Sequence, residues 1–162
     1  MKRKGIVLAL SAILWTLTTV AGAADPSNLP PAGYDKSRDP AADLKAAVAQ
    51  ARQENKRILL EVGGEWCIFC RILNKVIHDD ERLTKRLHDD FVVVKVNFSL
   101  DVKNEAFLSG YPKIPSYPHI FVLDAGGSLL LSQTPDAFMH GNEYDPNLIL
   151  AFLEKWGPKT DA

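Results

Sequence analysis

Cysteine is scarce in this chain: there are two among 162 residues, Cys67 and Cys70. A structural zinc site takes four ligands, and no second cysteine pair exists to complete one. The four histidines, His78, His88, His119 and His140, are scattered without HxxxH spacing, so no metal centre is expected from them. An excess of positive charge is missing too. With 19 basic against 20 acidic residues and no Arg/Lys cluster, nothing points to nucleic acid. Internal repeats and low-complexity tracts are absent. So is a long exposed apolar helix, which leaves a monomer as the expectation.

The two cysteines lie within Trp66-Cys67-Ile68-Phe69-Cys70. An apolar run, Ile58-Leu59-Leu60-Glu61-Val62, and then Gly63-Gly64 come before them. Arg71 to Ile77 follows, with apolar residues at helical spacing. Strand, tight turn, CxxC and helix in that order put the pair on the first turn of a helix. There, unpaired N–H groups and the positive end of the macrodipole favour a thiolate. Such cysteines have pKa values of about 3.5 to 7.5, and the thiolate is the form that attacks a disulfide. On this reading Cys67 is the exposed nucleophile, and Cys70, one turn in, is the shielded thiol that resolves the mixed disulfide. Two other readings stay open. The pair is also the spacing of half a metal site, and it is also the spacing of a structural bridge. A bridge across two residues, however, closes too short a loop to constrain much of the unfolded chain.

Residues 1–23 read as a signal peptide. Lys2-Arg3-Lys4 is the basic start, Gly5 to Val20 is almost wholly apolar, and Ala21-Gly22-Ala23 fits cleavage after Ala23 or Ala24. No cysteine stands at that boundary to carry a lipid anchor. Export would put the cysteines in a disulfide-permissive compartment, a bacterial periplasm. Cleavage would also leave 16 basic against 20 acidic residues, a net charge of −4. Residues 24–40, with a cluster of prolines and no periodicity, read as a flexible N-terminal arm. A single domain is expected over 41–157 and a short tail over 158–162.

Within that domain, Asp39-Pro40 opens a helix with an apolar stripe at Leu44, Ala47, Val48 and Ala51. Ile58 to Val62 is a buried strand whose pattern Glu61 breaks. Asp79 to Leu87 is helical, with its acids first and its bases later. Phe91 to Phe98 is a second buried strand, and a short helix runs through Asn104 to Leu108. Pro118 to Leu123 and Leu129 to Ser132 flank Asp124-Ala125-Gly126-Gly127 as a hairpin. Asp145-Pro146 starts the last helix. The order predicts an α/β fold with a mixed sheet of four to five strands and helices on both faces.

With CxxC at the end of the first strand and an X-Pro before the hairpin, residues 41–157 resemble a thioredoxin. The chain is similar to the small exported single-domain thioredoxins, including the thioredoxin-like C-terminal domain of DsbD. The resemblance implies that Pro118 is a cis-proline beside the active site, with Tyr117 offering backbone to an extended substrate. It implies that Glu61, six residues before Cys67, stands where the family has a buried aspartate that moves the resolving cysteine's proton. It further implies that Lys95 faces that acid and that Trp66 shapes the groove. Ile68-Phe69 replaces the family's Gly-Pro, and this dipeptide helps to tune the redox poise. The two residues either pack or form part of an exposed docking patch. Glu65 is read as solvated, and His119 as a strand residue.

The function implied is that of a periplasmic thiol–disulfide oxidoreductase, reducing protein disulfides through Cys67 and Cys70. It would need no bound cofactor, would work on protein dithiol and disulfide partners, and would draw electrons from a membrane-linked donor. One rival is a copper-binding module using the two thiolates with His119 as third ligand. The other is a non-catalytic thioredoxin-like binding domain with a permanent bridge.

Overall fold

The computed structural model describes residues 33–159. The signal peptide read at 1–23 and the start of the arm lie outside the described residues, as does the end of the tail. The elements are α1 (Pro40–Glu54), β1 (Arg57–Gly63), α2 (Ile68–Asp79), α3 (Glu81–Asp90), β2 (Phe91–Asn97) and α4 (Glu105–Leu108). They continue with β3 (His119–Leu123), β4 (Leu129–Gln133), β5 (Met139–His140), β6 (Glu143–Tyr144) and α5 (Pro146–Trp156). None of these helices is long and apolar enough to cross a membrane.

The helix starts follow the capping chemistry of the sequence. Asp39 accepts from the backbone N–H groups of Ala41 and Ala42, Asp80 from that of Arg82, and Asp145 from that of Asn147. Pro40 and Pro146 occupy first-turn positions, where a missing N–H costs nothing. The main sheet has four strands in the order β2-β1-β3-β4. β1 pairs parallel with β2 and antiparallel with β3, and β3 pairs antiparallel with β4. The β3–β4 turn places Gly127 at φ 90°, the left-handed region that favours glycine. A separate ribbon, β5–β6, follows a 3₁₀ turn at Pro135–Phe138. Strands of two residues are too short to show alternation, so the ribbon left no mark in the sequence pattern.

Helices cover both faces, and the period of two along the strands decides which residue faces which layer. Leu59, Phe91, Ile120 and Val122 pack with Leu73 of α2, Leu83 and Leu87 of α3, and Ile149 and Leu153 of α5. Ile58, Leu60, Val62, Val92, Val94, Val96, Phe121 and Leu123 pack with Ala47 and Ala51 of α1. By the same alternation Glu61 and Lys95 fall on the α2 side, at one level of the sheet, where β1 and β2 pair them directly.

His119, the first residue of β3, is buried with its ring against Phe121, centroids 4.7 Å apart, and its Nε2 lies 2.8 Å from Ser132 Oγ. Burial pushes its pKa below the usual histidine value, so the ring is neutral at pH 7 and adds no positive charge near the cysteines. The unfolded chain takes up this proton first as pH falls. The stability His119 contributes is therefore complete above about pH 6.5 and is lost as pH falls toward the folded-state value. A His119→Gln variant should show a flatter dependence of unfolding free energy on pH between 7 and 5, followed by urea denaturation. An unchanged slope would exclude this residue as the cause.

Candidate functional site

The site forms where β1 hands the chain to α2. Cys67 is the N-cap of α2, and its Sγ accepts the backbone N–H of Cys70 at 3.1 Å. The two cysteines are bridged, with Cα atoms 5.3 Å apart. The sulfur of residue 67 thus sits at the helix N-terminus that the spacing predicts. Its exposure does not match the reading: Cys67 is only 4% exposed, against 0% for Cys70. Tyr34 packs against both cysteines and Tyr117 borders them, which closes the sulfurs in.

Beneath the bridge, Glu61 and Lys95 form a buried ion pair, with Nζ to Oε2 3.6 Å and side chains about 5% and 4% exposed. Lys95 Nζ also donates to Asn74 Oδ1 at 2.6 Å. The hydroxyl of Tyr34 donates to Glu61 Oε1 at 2.5 Å. Lys95 Nζ lies 5.1 Å from the centre of the same tyrosine ring, a cation–π contact. Burial and the adjacent Glu61 carboxylate push the Tyr34 phenol far above its ordinary pKa. Tyr34 therefore stays protonated and acts here as a donor only. Tyr144 is also raised, by burial first and then by Glu61, and its buried hydroxyl has no hydrogen-bond partner among the described residues.

The rim is aromatic. The Trp66 indole donates to the Phe98 carbonyl at 2.6 Å and meets Tyr117 edge-on at 5.6 Å. Tyr117 stacks on Phe98, centroids 5.0 Å apart. The Tyr117–Pro118 peptide is cis. Trp66, Ile68, Phe69 and Ile72 are all exposed, so Ile68 and Phe69 do not pack into the core. Glycine is required at the turn. A Cβ on Gly63 would stand 2.6 Å from Tyr34 Oη and 2.7 Å from Cys70 Sγ, and one on Gly64 would meet Trp66 Nε1 at 2.5 Å.

The structure thus brings together Glu61, Cys67, Cys70, Trp66, Tyr117, Pro118 and Lys95, while Ile68 and Phe69 point outward. His119 is not grouped with the cysteines. Among the described residues, no three His, Cys, Asp or Glu side chains converge as a metal site. Sequence reasoning missed Tyr34, Asn74, Phe98 and Tyr144 as parts of this site. Tyr34 lies in a stretch without periodicity, where a lone aromatic among polar residues was the only signal. Glu65 is exposed, as read, and its Oε1 also accepts the Tyr34 backbone N–H at 2.7 Å. Tyr34, near the end of the arm, therefore lies packed on the domain, while residues 35–39 are exposed.

A family model described as thioredoxin-like matches residues 39–125. Curated relatives include the thiol:disulfide interchange protein DsbD of Pseudomonas fluorescens, 26% identical over 121 residues, which are 75% of this chain and 19% of that protein. The DsbD of Yersinia enterocolitica is 26% identical over 62% of this chain and 17% of its own length. The chain thus spans about a fifth of the length of these relatives. Among solved structures, a disulphide isomerase from Xylella fastidiosa Temecula1 superposes with a TM-score of 0.67 at 24% identity, covering 78% of this chain and 95% of that one. The oxidised C-terminal domain of Neisseria meningitidis DsbD gives 0.54 at 16% identity, covering 73% and 96%. At these identities the structural likeness is one of fold.

Removing one member of a buried ion pair leaves the other charged and unpaired, which typically costs about 3–5 kcal/mol. Lys95→Met should destabilise the domain by about that amount at neutral pH, measured by urea denaturation. The double variant Lys95→Met/Glu61→Leu should regain most of the loss. A double variant as unstable as Lys95→Met alone would mean that the charges are not the cause.

Proposed function

The chain belongs to the thioredoxin-like family and carries the bridged CxxC pair of a thiol–disulfide oxidoreductase, and we propose that it works in the periplasm as a reductase of protein disulfides. The observation that carries this reading is the placement of Cys67 Sγ at the N-terminus of α2, with Tyr34 packed on both cysteines and hydrogen-bonded to the buried Glu61–Lys95 pair. In the reduced protein, Cys67 is the thiolate. It attacks a substrate disulfide, forms a mixed disulfide and releases the first substrate sulfur as a thiolate. Glu61 then takes the proton of Cys70, whose thiolate attacks Cys67 Sγ. The Cys67–substrate bond breaks and the Cys67–Cys70 bond forms. The second substrate sulfur leaves with the electron pair and gains a proton from water. Two electrons pass from the dithiol to the substrate, and no cofactor takes part.

The rim supports the substrate side of this reading. Tyr117, held between Trp66 and Phe98, presents its backbone next to the bridge for pairing with an extended peptide, and Pro118 follows it. Ile68 and Phe69 offer apolar contact on the α2 side. Export by residues 1–23 supplies the location. A reductase in a compartment kept oxidising must be re-reduced, and a membrane-linked dithiol donor fits that need. The protein acts as a monomer on protein dithiols and disulfides.

Two variants test the assignment of the cysteines. Cys70→Ser should accumulate a mixed disulfide with insulin that non-reducing electrophoresis resolves, because attack proceeds and resolution does not. Cys67→Ser should form none and should show no insulin reduction. A mixed disulfide held through Cys70 in the Cys67→Ser protein would reverse the two roles. Acid trapping of thiols in living cells tests the direction. The native protein should be found mainly reduced, and a mainly oxidised pool would make it a donor of disulfides instead.

A further inference from the structure

The arm before α1 reaches the site and is fastened there at three points. Glu65 Oε1 holds the Tyr34 backbone N–H at 2.7 Å, Glu61 Oε1 holds its hydroxyl at 2.5 Å, and Lys36 pairs with Asp101 at 2.8 Å. Tyr34 is only 4% exposed, and its hydroxyl and Cys70 Sγ lie against the same side of Gly63. On the sheet side of the bridge, Glu61, Lys95 and Asn74 border a cavity of about 380 Å³ whose other walls include Leu59, Leu73 and Phe138. That is room for several waters, each of which needs about 10–15 Å³ of such space. Glu61 is therefore closed on the arm side and open on the cavity side.

From this geometry we propose that Tyr34 is a positioning residue for the resolving step: its hydroxyl fixes the Glu61 carboxylate in the orientation that receives the Cys70 proton, and its ring shuts that route off from bulk solvent. The inference rests on Glu61 acting as the base in the function proposed above. The proton passes from Cys70 Sγ to the Glu61 carboxylate, and from there to water through the cavity. Tyr34 never gives up its own proton. Its donated hydrogen bond favours the charged, proton-accepting form of the carboxylate. The groups that face Glu61 are Lys95 from β2, Tyr144 from β6 and Tyr34 from the arm; Cys70 Sγ lies by Tyr34 at Gly63, and Lys75 and His78 of α2 border the cavity.

The test is single-turnover oxidation of the reduced full-length protein by insulin between pH 5.5 and 9, quenched in acid and alkylated to separate mixed disulfide from oxidised protein. Tyr34→Phe should slow resolution about tenfold near pH 6, the size of one hydrogen bond to a charged group. The difference should narrow above pH 8, so that the acid limb of the profile moves to higher pH, while attack by Cys67 stays at the native rate. Glu65→Ala, which frees the arm's backbone and leaves Glu61 untouched, should shift the limb in the same direction by less. In a Glu61→Gln background Tyr34→Phe should add nothing. If Glu61→Gln slows resolution but Tyr34→Phe gives a profile parallel to the native one, Tyr34 is structural and this inference fails alone. If Glu61→Gln leaves resolution unchanged, the base assignment itself falls. Far-UV circular dichroism of each variant identifies any that has not folded, and the Glu65→Ala limb then decides the matter.

Discussion

Glu61 and Lys95 are buried side by side on the two parallel strands, β1 and β2, and burying two charges sets terms that several other segments must meet. Each ion loses several kcal/mol of hydration, and the pair alone repays this only when the remaining hydrogen-bonding capacity is filled. Here it is filled from far apart in the chain. Asn74 of α2 accepts from the ammonium, and Tyr34 of the arm donates to the carboxylate and places its ring under the cation. The pair therefore ties α2, with the cysteines at its start, and the arm to the middle of the sheet. A site selected for stability alone would do as well with apolar residues of similar volume. A carboxylate kept at this cost, bonded to the tyrosine that packs on the disulfide, fits the proton transfer proposed above.

The covering of the sulfurs follows from the same arrangement. Because Tyr34 must reach Glu61, it must pass over Gly63, and in doing so it packs on Cys67 and Cys70. A partner's disulfide has to approach along the rim that remains, where Trp66, Ile68, Phe69 and Ile72 are exposed. These four side chains lie just before and along the start of α2; elsewhere the described surface carries ion pairs such as Lys75–Asp79 and Arg38–Asp43 and other exposed apolar residues such as Leu100 and Leu129. On the function proposed above, apolar contact and backbone pairing, more than charge, are what this rim would offer a client protein.

Much of this architecture was legible in the sequence, for physical reasons that differ from part to part. Doubly buried strands must be apolar throughout, so β1 and β2 stood out, and Glu61 stood out because it broke the run. Capping demands Asp-Pro, so the starts of α1 and α5 were readable to the residue. The CxxC spacing is fixed by helix geometry and gave the reactive pair directly. What could not be read depends on contacts between distant segments. Tyr34 meets Glu61 across 27 positions and Lys95 meets Asn74 across 21, and no local periodicity encodes either contact. The bond from the arm to Glu65 could not be read because its donor is a backbone N–H, which has no sequence signature. The exposure of Cys67 was misjudged for the same reason: what covers it comes from outside the motif.

Two sulfurs that look equivalent in a CxxC string are placed in opposite surroundings by the fold. That of Cys67 faces the unpaired N–H groups at the start of α2, where negative charge is favoured. That of Cys70 is wholly buried beside Gly63 and Tyr34, where burial disfavours an anion. On the function proposed above, reduction of the bridge would leave the charge on the first sulfur and the proton on the second. Exchange would then be directional: the outer anion would meet an incoming disulfide, and the inner thiol would become a nucleophile only when a base beside it accepts its proton. In that proposal the order of attack and resolution is set by where the chain places one helix terminus and one buried carboxylate, with the tyrosine of the arm hydrogen-bonded to that carboxylate.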